Sequence, residues 1–281
     1  MTDKTDPLQR IAEALERLAP APFTADLSAA AAFHWSPHTQ ILTPVEKPAR
    51  IPLDLILEAE RQKEALLANT RRFAAGAPAN NALLWGARGA GKSALVKAVH
   101  AAVAEETPGL KLIEAPPEAL DRLGGLIDAL RAQPHPAILF LDDLSFAGGE
   151  ESLKALKPAL DGGIAARDAR LIVYATSNRR HLVARDTREN TADDLMWADT
   201  AEERLALADR FGLWLGFHAL DQDQFLRIVG AYAARLHLPI GAEDLQREAL
   251  LWSRTRAARS GRTAWQFIIE LAGRFNQPIT F

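Results

Sequence analysis

The strongest constraint in this 281-residue sequence is a series of short apolar-rich runs separated by stretches with helical spacing. The runs are Ala82–Trp85, Leu110–Glu114, Ala137–Leu141, Leu171–Ala175 and Leu213–Phe217, and each reads as a strand. Helices are expected between and around them, over 55–75, 92–106, 117–132, 150–161 and 201–210. A run such as "AILFL" offers no polar alternate residue to water, so both of its faces must be covered. Strands alternating with helices supply that cover as a parallel sheet between helical layers. After residue 220 the runs stop. Asp221 and Gln224 have the spacing of a capping box, and the chain to Phe281 reads as helix throughout. The expected fold class is α/β: a parallel sheet flanked by helices, with a small C-terminal all-helical lid.

The N-terminal part is of another kind. Leu8, Ile11, Leu15 and Leu18 lie at helical spacing, and a Pro- and Ala-rich stretch comes next that reads as a linker or a segment draped on the next domain. Three parts result: residues 1–48 as N-terminal helix and linker, 49–220 as the α/β domain and 221–281 as the lid. The chain has no cysteine, which excludes disulfides, thiolate metal sites and cysteine nucleophiles. A net charge of −3 argues against a protein that mainly coats nucleic acid. The polar start "MTDKTDPLQR" lacks a signal core, and no apolar run approaches the length of a membrane span. A cytoplasmic protein with no membrane span is the expectation.

Ligands of open parallel sheets bind outside the carboxyl ends of the strands, so the residues directly after each strand carry the chemistry. After the first run comes "GARGAGKS": Gly86, Ala87, Arg88, Gly89, Ala90, Gly91, Lys92 and Ser93, with Ala94 next. The pattern G-x-x-x-x-G-K-[ST] between a strand and a helix is a phosphate cradle: glycines let backbone N–H groups curl around oxygens, and the helix aims its positive end at them. Lys92 would reach the β- and γ-phosphates and Ser93 would ligate Mg²⁺. After "AILFL" come Asp142 and Asp143. Asp142 is the candidate second Mg²⁺ ligand. Asp143 is either the base that orients or deprotonates an attacking water, or a turn cap. After "LIVYA" comes "TSNRRHL", where Asn178 could bond the γ-phosphate or the water, with Thr176 and Ser177 as weaker candidates. Ser and Asn are also ordinary turn residues there.

Two arginines admit two readings each. Arg210, in the last turn of the 201–210 helix, either complements the helix dipole and pairs with Asp209 or acts as a finger on the nucleotide of an adjacent subunit. Arg262 falls in the first turn of a helix capped by Ser260, where the dipole disfavours a cation unless it faces an anion. It is then a lid contact to phosphate, with Arg259 as second choice, or part of a solvated basic face.

These blocks, in this order, resemble the AAA+ ATPases: Walker A "GARGAGKS", Walker B "ILFLDD", a sensor at Asn178, a finger in "DRFG" and a lid sensor near "RSGRTA". More narrowly, "ANNALLWGARGAGKS", "LDDLSF", "YATSNRRHL" and "DRFGLWLGF" are similar to a bacterial AAA+ family catalogued as a domain of unknown function, from about Ile51 to Phe275. The resemblance implies a five-stranded parallel P-loop sheet with a helical lid, ATP and Mg²⁺ as cofactors, and a homo-oligomer with ATP between subunits. It favours the finger role for Arg210 and the phosphate role for Arg262, and places Ile51, Leu53 and Leu55 over the adenine. Many AAA+ members carry Glu where this chain has Asp143, one methylene shorter, which suits slow hydrolysis. "APPEALDRLGG" lacks an aromatic-hydrophobic-glycine pore loop, which disfavours a processive unfoldase.

The implied function is an ATP-hydrolysing switch or remodeller of a protein partner. A nucleic-acid-directed loader, suggested by Arg179, Arg180, Arg185, Arg188, Arg254 and Arg256, is the alternative, and a scaffold that binds nucleotide without turnover is another. The acidic stretch 183–200, with Met196 and Trp197, is either a partner contact or cover for local core.

Overall fold

The computed structural model describes residues 26–116, 120, 122–144, 156, 160, 170–178 and 209–279. The expected N-terminal helix, the 150–161 helix, most of the 201–210 helix, the 183–200 stretch and Arg179, Arg180, Arg185 and Arg188 lie outside the described residues.

All five expected strands are present: β3 (Ala82–Gly86), β4 (Lys111–Ala115), β5 (Ala137–Leu141), β6 (Leu171–Ser177) and β7 (Leu213–Phe217). Two more precede them, β1 (Ala32–Ser36) and β2 (Ile41–Pro44), in the stretch expected as a linker or draped segment. The sheet therefore has seven strands in the order β2-β1-β4-β5-β6-β3-β7, all parallel except β2, which runs antiparallel to β1. β1 joins by pairing Ala32, Phe33 and His34 with Leu112, Ile113 and Glu114 of β4. Its residues alternate: Phe33 and Trp35 are buried on one face, Ala32 on the other, while His34 stays exposed.

β5 is central and buried along its whole length. Ala137, Leu139 and Leu141 enter one core with Leu123, Leu126, Ile127 and Leu130 of α3 (Leu123–Arg131). Ile138 and Phe140 enter the opposite core with α1 (Glu60–Ala74) and α2 (Lys92–Glu106). Each fully buried Leu, Ile or Phe contributes about 1.5–3 kcal/mol, so two cores on one strand explain why its sequence admits no polar position.

The lid comprises α4 (Gln222–Arg235), α5 (Ala242–Thr255) and α6 (Gly261–Arg274). The capping box forms as spaced: Asp221 accepts from the Gln224 N–H, and Gln224 Oε1 accepts from the Asp221 N–H. Ser260 caps α6 by accepting from the Thr263 N–H. Ala264, Phe267, Ile268 and Leu271 are buried in the lid core, with Phe275 half-buried against it.

Between sheet and lid runs residues 51–58, a strap. The expected helix over 55–75 starts only at Glu60, after a short 3-10 turn at Leu53–Leu55. Leu55 belongs to the lid core while Ile56 belongs to the core under the sheet. The strap thus sends neighbouring side chains into two separate cores before the helix begins. Among the described residues, no helix is long and apolar enough to cross a membrane.

Candidate functional site

The strand order sets the carboxyl ends of β5, β6 and β3 side by side, which brings Asp142, Asn178 and the Gly86–Ser93 loop to one crevice. Gly86 ends β3 with φ at +127°, and a Cβ there would lie 2.0 Å from the Phe217 carbonyl oxygen. Only glycine fits, and the loop is thereby held against β7, with the Ala87 N–H donating to the same oxygen at 2.9 Å. At the other end, Gly91 enters α2 in a left-handed conformation.

Lys92 is buried, at 5% exposure, and all three of its ammonium protons have acceptors. It donates to the carbonyls of Gly86 (3.1 Å) and Ala87 (2.8 Å) and to Asn178 Oδ1 (2.8 Å). Burial lowers its pKa from the ordinary 10.5; Asp143 and Asp142 act against that, and Arg262 adds to it. Asn178 then donates through Nδ2 to Asp143 Oδ1, so one amide joins the lysine to the second acid. Asp142 Oδ1 accepts from Ser93 Oγ at 2.5 Å and from Thr176 Oγ1 at 2.6 Å. Hard oxygen donors such as one or two carboxylates and hydroxyls are what Mg²⁺ takes, so Asp142 and Ser93 beside the glycine-rich loop fit that ion.

These residues wall one end of a cavity of about 360 Å³, whose lining also includes Arg88, Gly89, Ala90, Gly91 and Ala94. Its other end is apolar, built by Ile51, Leu55 and Leu57 of the strap with Leu220, Ile228, Tyr232 and Trp265 of the lid side. Tyr232 and Trp265 meet edge-on, with ring centroids 5.4 Å apart, and burial pushes the Tyr232 hydroxyl up to about 12. The lid touches the loop directly: the Arg262 N–H donates to the Gly89 carbonyl at 3.3 Å, and a Cβ on Gly89 (φ +73°) would lie 2.8 Å from Ser260 Oγ.

Of the residues singled out from sequence, Ile51, Leu55, Arg88 through Ala94, Asp142, Asp143, Thr176, Asn178 and Arg262 line the cavity. Gly86 and Ala87 sit behind it, holding Lys92 through their carbonyls. Leu53 packs into the core under the sheet instead. Arg259 points its guanidinium toward Gln222 Oε1 at 3.4 Å and is absent from the lining. Arg210 lies in the turn before β7, at the amino end of the strands. The four residue-to-residue steps of β7 from Leu213 to Phe217, roughly 13 Å at about 3.3 Å each, separate it from the loop of its own chain. Sequence reasoning underrates Thr176 and misses Tyr232, Trp265, Ile228, Leu57 and Leu220. Trp265 carries a usable signal, standing three residues after Arg262 on the same helix face.

A parallel sheet with this strand order, a glycine cradle after β3, acids after β5, an amide after β6 and a helical lid over the crevice define the AAA+ fold. Within it, the chain belongs to the family described as "Protein of unknown function (DUF815)", whose model matches residues 28–275. No curated protein sequence matches it significantly. Among solved structures it is similar to the FIGL-1 AAA domain in complex with ADP (TM-score 0.53, 20% identity, 82% of this chain and 75% of that one). It is also similar to the Aeropyrum pernix ORC1 protein in complex with DNA (TM-score 0.54, 15% identity, 79% of this chain and 64% of that one). Thermotoga maritima RuvB aligns at TM-score 0.49 and 15% identity over 80% of this chain and 72% of that one.

Proposed function

We propose that this protein binds ATP with Mg²⁺, hydrolyses it to ADP and phosphate, and works as a nucleotide-dependent switch or remodeller of a protein partner. The observation that carries the reading is the bonded set of Lys92, Asn178, Asp143, Asp142 and Ser93 around one cavity. Its members come from three strand ends, and they supply the phosphate-binding cation, the metal-holding oxygens and the water-orienting groups that a phosphoryl-transfer site needs from its own chain. Lys92, freed from its internal acceptors, bonds the phosphates. Ser93 and Asp142 hold Mg²⁺, which when bound neutralises charge on the β- and γ-oxygens. Asp143 takes a proton from, or aligns, the attacking water, and Asn178 steers both the acid and the γ-phosphate. The strap and lid receive the base. Arg262 approaches the phosphates from the lid, so lid position tracks nucleotide state through its bond to Gly89.

Arg210 is too far along β7 to serve its own site, which supports a homo-oligomer in which each copy's Arg210 completes the next site. The test uses the purified full chain. Mg²⁺-ATP hydrolysis should be measurable and lost in Lys92→Ala. Arg210→Ala should also be inactive, yet mixing it with Lys92→Ala should restore part of the rate, because mixed interfaces pair an intact cradle with an intact finger. A wild-type rate no higher than that of Lys92→Ala would overturn hydrolysis. Mixed rates that only add the two variants would overturn the shared site. Turnover raised by DNA and falling steeply with salt would redirect the client from protein to nucleic acid.

A further inference from the structure

Thr176 holds both acids of the site with one side chain. Its hydroxyl is buried, with the residue at 2% exposure, and has one proton to give. The Asp143 N–H donates to Thr176 Oγ1 at 2.8 Å, which occupies a lone pair and directs the hydroxyl proton to Asp142 Oδ1 at 2.6 Å. The Thr176 carbonyl accepts from the Leu144 N–H at 2.7 Å. Residue 143 is therefore bracketed by two bonds to one residue of β6.

That bracket has a conformational consequence. Asp143 adopts φ +57°, a left-handed geometry that costs a residue with a side chain on the order of 1 kcal/mol and that Asp and Asn accept best. The two bonds from its own N–H and the next hold the turn there, and the carboxylate reaches Asn178 Nδ2. On the other side, Ser93 and Thr176 both bond Asp142 Oδ1, while Oδ2 takes no hydrogen bond from any described residue. Among the described residues, Asp142 is thus oriented with one oxygen doubly hydrogen-bonded and the other without a hydrogen bond.

We propose that Thr176 is a positioning residue of this site: it sets Asp142 for Mg²⁺ and fixes the left-handed turn that lets the short Asp143 reach the water. This rests on the ATPase reading above. A hydroxyl is essential to the role and a methyl is not, so Thr176→Val and Thr176→Ser separate it from packing. In the full chain, Thr176→Val should lower kcat about 10- to 100-fold, the scale of a misplaced acid. It should also raise several-fold the Mg²⁺ concentration needed for half-maximal binding of a ribose-labelled fluorescent ATP. Thr176→Ser should return both quantities to within about threefold of wild type. If Thr176→Val does not fold, Thr176→Ala carries the same readouts.

Wild-type kcat and Mg²⁺ dependence in Thr176→Val would overturn the proposal, as would a serine variant as impaired as the valine. Failure of the parent reading looks different. A wild type that binds the labelled ATP in a Lys92-dependent way but never turns over removes hydrolysis, while the Mg²⁺ titration still decides Thr176. A wild type that binds no nucleotide overturns both.

Discussion

The two ends of the cavity are built on opposite principles. At the polar end, beside the glycine-rich loop, the side chains are bonded to one another: Lys92 to Asn178, Asn178 to Asp143, Thr176 and Ser93 to Asp142. At the other end Ile51, Leu55, Ile228, Tyr232 and Trp265 contribute apolar surface from two parts of the chain. Lys92 and Thr176 are buried, and buried polar groups need partners of fixed geometry, so the first end depends on single atoms; apolar contact scales with area and spreads over many residues. On the proposed function, substitutions at the polar end should therefore act on chemistry, and those at the apolar end on affinity.

The largest break is expected from Asp143→Asn. The amide keeps the size and can still accept from Asn178, but it cannot take a proton. Turnover should fall by about 100-fold or more, while nucleotide affinity stays within about threefold of wild type. Phosphate release and a binding titration on the same preparation check both. An unchanged rate would remove Asp143 from the chemistry and leave it as a cap on the β5 turn.

Trp265→Ala should give the reverse pattern, with a smaller effect. The indole pairs edge-on with Tyr232 and closes the apolar end, so its loss removes an aromatic contact and opens that wall. About tenfold weaker nucleotide binding is expected, with kcat at saturation changed by no more than about twofold. If kcat fell instead and affinity held, the two ends would not divide the work as their composition suggests.

The same contrast explains what is legible in the sequence. The polar end can be read because its demands are local: glycines where φ is positive, a fixed order of glycine-rich loop and lysine, acids and an amide directly after apolar runs. Alignment of three strand ends then comes from the order β5-β6-β3. β1 cannot be read as strand, because what makes it one is pairing with β4, some 80 residues away, and the alternation of Phe33, His34 and Trp35 is embedded in Pro- and Ala-rich sequence. The end of the strap reads as helix because its apolar spacing is helical; the competing pull of two cores on Leu55 and Ile56 is tertiary and leaves no local mark. Trp265 and Tyr232 face the cavity only because the lid folds over it.

The strap joins the two ends, and its tie to the lid should produce the smallest effect. Glu58 takes two bonds from Arg227 of α4, Nε to Oε1 at 2.7 Å and Nη2 to Oε2 at 3.1 Å. The Arg227 hydrogen bond is the main cause that lowers the Glu58 carboxyl below its ordinary 4.5, against the opposing effect of burial. A carboxyl lowered in the folded state stabilises the fold above its unfolded pKa, and that contribution is lost as pH falls through the folded value. Arg227 is largely exposed, so solvent screens the pair and the gain is modest. Glu58→Gln should therefore lower Tm at pH 7 by at most about 2–3 °C, and the difference from wild type should vanish as the pH drops below 4.5. Thermal melts of both proteins from about pH 7 down to about pH 3 check it. A difference that persisted at the acid end would mean that Glu58 acts through shape in its own left-handed turn, at φ +62°, and not through its charge.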